Sequence, residues 1–135
     1  MKVTLIGATG FVGTAVLAEL LQRHHQVTVL ARDPAKLAPQ AGLTVVKGDA
    51  QEAAQVQAVV AGHDAVVSAY NPGWGNPAIY DEFLKGTRAI HAGVSQAGVR
   101  RLLVVGGAGS LFVAPGVQLV DTPQFPEEWK AGALA

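Results

Sequence analysis

Residues 6–13 read IGATGFVG. Gly7, Gly10 and Gly13 come straight after an apolar run and just ahead of a segment with helical spacing. Glycine weakens regular structure, so three of them at this junction imply that something comes close to the main chain there. The residues on either side say what kind of junction it is. KVTLI (2–6) reads as a strand and FVGTAVLAELLQRH (11–24), with apolar residues at three-to-four spacing, as a helix. The glycines therefore sit on a strand-to-helix turn.

The same alternation runs along the chain. QVTVLA (26–31), LTVVKG (43–48), DAVVSA (64–69) and RLLVVG (101–106) are short Val/Leu/Ile runs, nearly continuous in hydrophobicity, as strands covered on both faces are. Between them, DPAKLA (33–38) opens on an Asp-Pro pair suited to a helix cap and first turn. AQEAAQVQAVVAG (50–62) ends on glycine, and IYDEFLKGTRAIHAGVSQAGV (79–99) has one near its end. The order βαβαβαβαβ implies an α/β fold: a doubly wound, Rossmann-type parallel sheet of at least five strands with right-handed crossovers. Residues 1–106 form this core. Residues 107–135, rich in Gly and Pro and without clear periodicity, are expected to be an irregular C-terminal segment of the same domain.

Composition narrows the functions open to such a fold. The 135 residues are half hydrophobic, and ten Lys and Arg balance ten Asp and Glu. That leaves no basic field for nucleic acid or for an anionic membrane surface. Cysteine is absent, which excludes thiol catalysis, disulfides and thiolate metal sites and makes a cytoplasmic setting the expectation. His24, His25, His63 and His91 lack zinc-ligand spacing, and His24 and His25 suit the negative end of a helix, so no metal is expected. No secretory signal is read in the first residues. The uncharged run 102–120 contains four glycines and Pro115, which would break a lone spanning helix.

In such a sheet the first turn faces the ligand crevice. Gly7 allows the tight turn, Gly10 admits a pyrophosphate to the main chain, and Gly13 lets the helix pack closely on the sheet. The amides at Phe11, Val12 and Gly13 and the helix dipole then receive the anion, with the Thr9 hydroxyl as an added donor. The spacing G-x-x-G-x-x-G is one residue wider at its first step than the usual dinucleotide fingerprint.

That spacing, with GATGFVG, VTVLARDPAKL and VVKGDA, resembles the atypical short-chain dehydrogenase/reductase superfamily, and within it the NmrA-like NAD(P)-binding proteins, including flavin-reductase-like and biliverdin-reductase-like members. GGAGSL and FPEEWK resemble a group described as NADH-flavin reductases. The resemblance implies a nicotinamide dinucleotide as cofactor and a small-molecule acceptor, with hydride passing from NADPH to a small planar molecule such as a flavin. The alternative it implies is a non-catalytic NADP(H) sensor that regulates a partner. Proteins of this group continue for several more strands, so a C-terminally truncated sheet is expected, its substrate wall absent or supplied by a second subunit, as in a homodimer.

The end of the second strand bears on the choice of cofactor. Arg32 can face a 2′-phosphate with Lys36 assisting, which favours NADP(H) over NAD(H). Asp33 is the competing ribose ligand, though Pro34 behind it marks a helix cap. Asp49 and Ala50 follow the third strand, where the resembling proteins place adenine, and Asp49 equally suits a cap. Ser68, Ala69 and Tyr70 follow the fourth strand and are expected along the nicotinamide ribose, unless Tyr70 is a core aromatic.

Catalytic groups are harder to find. The Tyr/Lys pair of the wider superfamily is missing, because Leu84 stands four positions after Tyr80 and Lys85 is one step off that face. Ser110 in GGAGSL and Tyr70 are the remaining hydroxyl candidates. Trp74 in the loop NPGWGNP (71–77) could cover a planar substrate or pack back on the core, and Phe125 and Trp129 could close the same crevice or meet another subunit.

Overall fold

The computed structural model describes residues 1–107, 109 and 111–135. Five strands, β1 (Lys2–Ile6), β2 (Gln26–Ala31), β3 (Leu43–Lys47), β4 (Ala65–Ser68) and β5 (Leu102–Val104), form one parallel sheet in the order β3-β2-β1-β4-β5. The chain builds outward from β1 through β2 to β3, then returns to place β4 on the other side of β1. That reversal opens a crevice beyond the carboxyl ends of β1 and β4, where ligands bind in open α/β sheets.

The two-residue period of the strands sorts their side chains into two cores. Leu5, Val27, Val29 and Ala31 face helix α1 (Phe11–Gln22) and pack with Ala8 and Leu17. Ile6, Leu30 and Val66 face α2 (Ala53–Val60) and α3 (Ile79–Gln96), meeting Val56, Val60, Ile90 and Val94. A Cβ on Gly93 would stand 2.7 Å from the Val56 side chain, so the bare α3 backbone is what lets α2 approach so closely.

Three sequence expectations are corrected. The segment 33–38 is no α-helix. Only Pro34–Lys36 forms a single 3-10 turn, capped by Asp33, whose Oδ1 accepts from the Ala35 amide at 3.2 Å. Strand β5 is not covered on both faces: at this edge of the sheet Leu103 is 64% exposed and Val104 46%. Residues 107–135 are not irregular throughout. They hold an antiparallel hairpin of β6 (Phe112–Ala114) and β7 (Val117–Gln118), two 3-10 turns and the short helix α4 (Lys130–Leu134). Among the described residues no helix is long and apolar enough to cross a membrane.

Candidate functional site

The turn between β1 and α1 is built from the three glycines, and their surroundings separate their roles. Gly7 has φ +85°, a left-handed conformation, and a Cβ there would also press on the Ala69 carbonyl group at the end of β4. Gly13 is buried, and a Cβ on it would lie 2.6 Å from the Gly7 carbonyl carbon and collide with its oxygen. Both are therefore glycine because the fold itself fills the space. Gly10 differs. Its φ of −79° and ψ of 175° suit any residue, and a Cβ would meet only the Gly7 oxygen, at an ordinary 3.6 Å. Nothing among the described residues requires glycine at position 10.

Gly10 is also the N-cap of α1, and it offers no side-chain cap. Thr14 bonds back to the carbonyls of Gly10 (2.7 Å) and Ala8 (3.2 Å), while the Phe11, Val12 and Gly13 amides donate to no acceptor among the described residues. No acidic side chain occupies this first turn. Free amides at the positive end of a helix, with open space over a bare Cα, have the chemistry to receive a diphosphate. Phe11 is 98% exposed and Val12 is also exposed, so neither side chain is committed to the core.

From this turn a cleft runs along the carboxyl ends of β1, β2 and β3. Gly7, Thr9, Arg32, Lys36, Asp49 and Tyr70 are among the residues on its walls, with Ala50 at its floor. Arg32 and Lys36 form no ion pair among the described residues, and both are exposed. They stand as two uncommitted cations at the end of β2, where an adenosine ribose would lie. Asp33, the competing ribose ligand, has one carboxylate oxygen engaged in capping the 3-10 turn. Asp49 likewise accepts the Gln51 amide through Oδ1 at 2.9 Å; it does not cap α2, whose N-cap is Glu52.

The residues after β4 are each held by contacts within the protein. Ser68 is only 4% exposed, and its Oγ lies under the Tyr70 amide at 3.4 Å, so its side chain does not line the cleft. Ala69 is held to β1 through its amide, which donates to the Ile6 carbonyl at 2.8 Å. Tyr70 turns toward α3 and Gln51. Its hydroxyl donates to the Glu82 carbonyl (3.1 Å) and accepts from Gln51 Nε2 (3.1 Å), and its ring meets Phe83 edge-on at 5.9 Å. Burial pushes the phenol above its ordinary pKa. The Gln51 hydrogen bond opposes the shift, the Glu82 and Asp49 carboxylates add to it, and Arg32 opposes it. A protonated hydroxyl committed to a main-chain carbonyl is poorly disposed to act as an acid or base. Ser110, the other hydroxyl candidate, lies outside the described residues.

Trp74 packs back on the protein. Its ring lies 6.0 Å from that of Trp129 at 50°, and it covers Gly132 of α4, where a Cβ would fall 2.6 Å from the indole. The loop after β4 and the C-terminal segment are thereby fastened to each other. Hydrogen bonds from the Gly73 amide to Asn71 (2.7 Å) and from the Asn76 side chain to Glu82 hold the loop in shape.

Two contributors are not visible from sequence reasoning. Gln51 and Asn71 line the cleft without belonging to a motif, and no sequence signal marks Gln51, because its orientation depends on a tyrosine nineteen residues away. Gly86 could have been flagged as a glycine inside a long helical pattern. A Cβ on it would lie 2.6 Å from the Tyr70 hydroxyl oxygen, so its absence makes the slot in which the tyrosine rests.

Comparison with known proteins places this architecture among dinucleotide-binding proteins. Residues 7–134 match the family described as NAD(P)H-binding. The YwnB protein of Bacillus subtilis is 37% identical over 131 residues, covering 96% of this chain and 59% of its own length. A Bacteroides thetaiotaomicron structure provisionally named an epimerase is 46% identical with a TM-score of 0.88, covering 98% of this chain and 59% of that one. A Streptococcus pneumoniae structure provisionally named an NADH-flavin reductase is 32% identical with a TM-score of 0.75, covering 99% of this chain and 61% of that one. The chain thus spans about three-fifths of the length of these relatives.

Proposed function

Because the chain belongs to the NAD(P)H-binding family, we propose that it is a reductase that takes hydride from NADPH and delivers it to a small planar acceptor such as a flavin. The observation that carries the cofactor half of this reading is Gly10. Its side-chain space is open, its backbone is unstrained, and three unpartnered amides lie beside it. A diphosphate resting there would direct the adenosine half along the cleft toward Arg32 and Lys36 and the nicotinamide half toward the ends of β4 and β5. The two cations support NADPH over NADH, because a 2′-phosphate would pair with a guanidinium and an ammonium that form no ion pair among the described residues.

The residues present fit this group: the cradle takes the diphosphate and the cationic pair takes the 2′-phosphate. When bound, the reduced nicotinamide supplies a hydride. The chain's own part is then to hold the ring and leave room for an acceptor. Gly106 and Gly107, just past β5, have no heavy atom of the described residues within 4 Å of the positions their Cβ atoms would take, which is compatible with the approach of a flat molecule. A conjugated acceptor can draw its proton from solvent, so proximity and orientation are the contributions required of the protein. The likeness to the Streptococcus pneumoniae protein supports a flavin as the acceptor.

One observation favours a second reading, a non-catalytic NADP(H) sensor: the Tyr70 hydroxyl is engaged on both sides within the protein. Two measurements on the same preparation separate the readings. Purified protein is first tested for NADPH and NADH binding by calorimetry, then mixed with NADPH and a panel of flavins while the absorbance of the reduced nicotinamide is followed. Oxidation faster than in buffer supports the reductase. Tight binding without turnover supports the sensor, and failure to bind either nucleotide refutes both.

A further inference from the structure

Resting on the cofactor reading above, we propose that Gln51 reads the base of the dinucleotide, selecting adenine through its 6-amino group, and that Tyr70 is the positioning residue that sets the glutamine for this task. A 2′-phosphate held by Arg32 and Lys36 belongs to the adenosine ribose, so the attached base must lie beside that ribose, against the residues that follow β3. These are Asp49, Ala50 and Gln51, all on the wall of the same cleft. Asp49 spends Oδ1 on the Gln51 main-chain amide, and its own amide donates to Gln55 at 2.7 Å, so the turn is a fixed platform.

The orientation of the Gln51 side chain follows from counting protons. A phenol has one proton to donate, and a carbonyl can only accept. Tyr70 lies 3.1 Å from the Glu82 carbonyl oxygen, so its proton goes there. Toward Gln51 the phenol can then only accept, which requires the glutamine to present its NH2 group, at 3.1 Å. The amide is thereby locked with Nε2 on the tyrosine and Oε1 turned the other way. That oxygen accepts no hydrogen bond from the described residues, and it is not among their fully buried unpartnered atoms.

An outward carbonyl oxygen discriminates between purines. It accepts from the 6-amino group of adenine and repels the 6-keto oxygen of hypoxanthine or guanine, since acceptor faces acceptor. The tyrosine can hold this position because Gly86 leaves a slot for its ring in α3 and Phe83 closes one side. Three elements thus meet around the Gln51–Tyr70 pair: the turn after β3, the end of β4, and α3.

The test is calorimetric titration of the full chain with NADPH and with its hypoxanthine analogue, in which a keto oxygen replaces the 6-amino group. The wild type is expected to bind NADPH at least about tenfold more tightly, the scale of one hydrogen bond gained against one repulsion. Gln51→Leu should bring the two affinities within about threefold, by weakening NADPH rather than by improving the analogue. Tyr70→Phe keeps the ring in its slot but frees the amide to rotate, so the preference should fall severalfold with circular dichroism unchanged, a readout that simple support of the wall would not move. Equal binding of both nucleotides by the wild type, or an unchanged preference in Gln51→Leu, overturns the proposal. Binding of neither nucleotide overturns the cofactor reading on which it rests, and is a different result from equal binding of both.

Discussion

Gly10 offers the sharpest test, because the structure separates its requirement from that of its neighbours. Consider Gly10→Val. The backbone at φ −79° and ψ 175° lies in the extended region that β-branched residues favour, and the new Cβ meets one oxygen at 3.6 Å. Valine is a poorer helix cap than glycine, by up to about 1 kcal/mol. The loss of glycine's freedom in the unfolded chain returns about 0.4–1 kcal/mol. The two nearly cancel, so thermal unfolding should move by less than about 5 °C. Cofactor binding should not survive, because the isopropyl group stands over the amides of the first turn. Losing two charge-assisted hydrogen bonds at about 1.5–3 kcal/mol each weakens NADPH by roughly 100-fold to 10,000-fold. Gly13→Ala is the control with the opposite pattern: its Cβ falls within 3.0 Å of the Ala8 Cα and closer still to Gly7, and main chain cannot yield as a side-chain tip can. It should cost about 3 kcal/mol of stability, at the upper end of overpacking. Calorimetry and thermal denaturation of both variants give the answer. A Gly10→Val protein that binds NADPH within threefold of the wild type, or that unfolds as Gly13→Ala does, refutes the role given to the turn.

Other outcomes follow from particular contacts. Arg32→Ala should weaken NADPH by about 1.5–3 kcal/mol and leave NADH nearly unchanged; equal losses measured by calorimetry would return the ribose to Asp33. The raised pKa of Tyr70 means that the folded state holds its proton more firmly than the unfolded chain does. Its contribution to stability is therefore complete below the ordinary phenol pKa and is lost as pH rises through the higher folded value, and denaturant titrations across alkaline pH should show this slope reduced in Tyr70→Phe. His24 carries φ +63° at the end of α1, where its amide and that of His25 close back on Leu21 and Leu20. His24→Gly should raise unfolding stability by about 0.5–1 kcal/mol, and a loss would show that the histidine side chain outweighs the strain. Gly132→Val should drive α4 from under Trp74, shifting the emission of the two tryptophans to longer wavelength while the parallel sheet stays folded by circular dichroism.

Local rules were enough for the sheet and its first turn. Strands β1 and β2 fall where the apolar runs place them, and β3, β4 and β5 lie within theirs, because a strand buried on one or both faces must be written in Val, Leu and Ile. The alternation with helices then leaves few topologies, and the order β3-β2-β1-β4-β5 is one that right-handed crossovers produce. The three-glycine spacing pointed to a diphosphate because helix geometry fixes where the first free amides lie. The same local logic overreached at 33–38, where capping residues suffice for one 3-10 turn but too few apolar contacts follow to extend it.

Tertiary structure alone decided which glycine serves the fold and which leaves room for a ligand, since that depends on whether main chain or open space lies above each Cα. It also decided the side chains after β4: Ser68 is buried, and Tyr70 turns toward Gln51 and Glu82. Sequence spacing carries the period of a strand or helix, which is a property of near neighbours along the chain. The direction of a hydroxyl proton or an amide oxygen is set by partners brought together only when the chain has folded, and no residue's own neighbours record it.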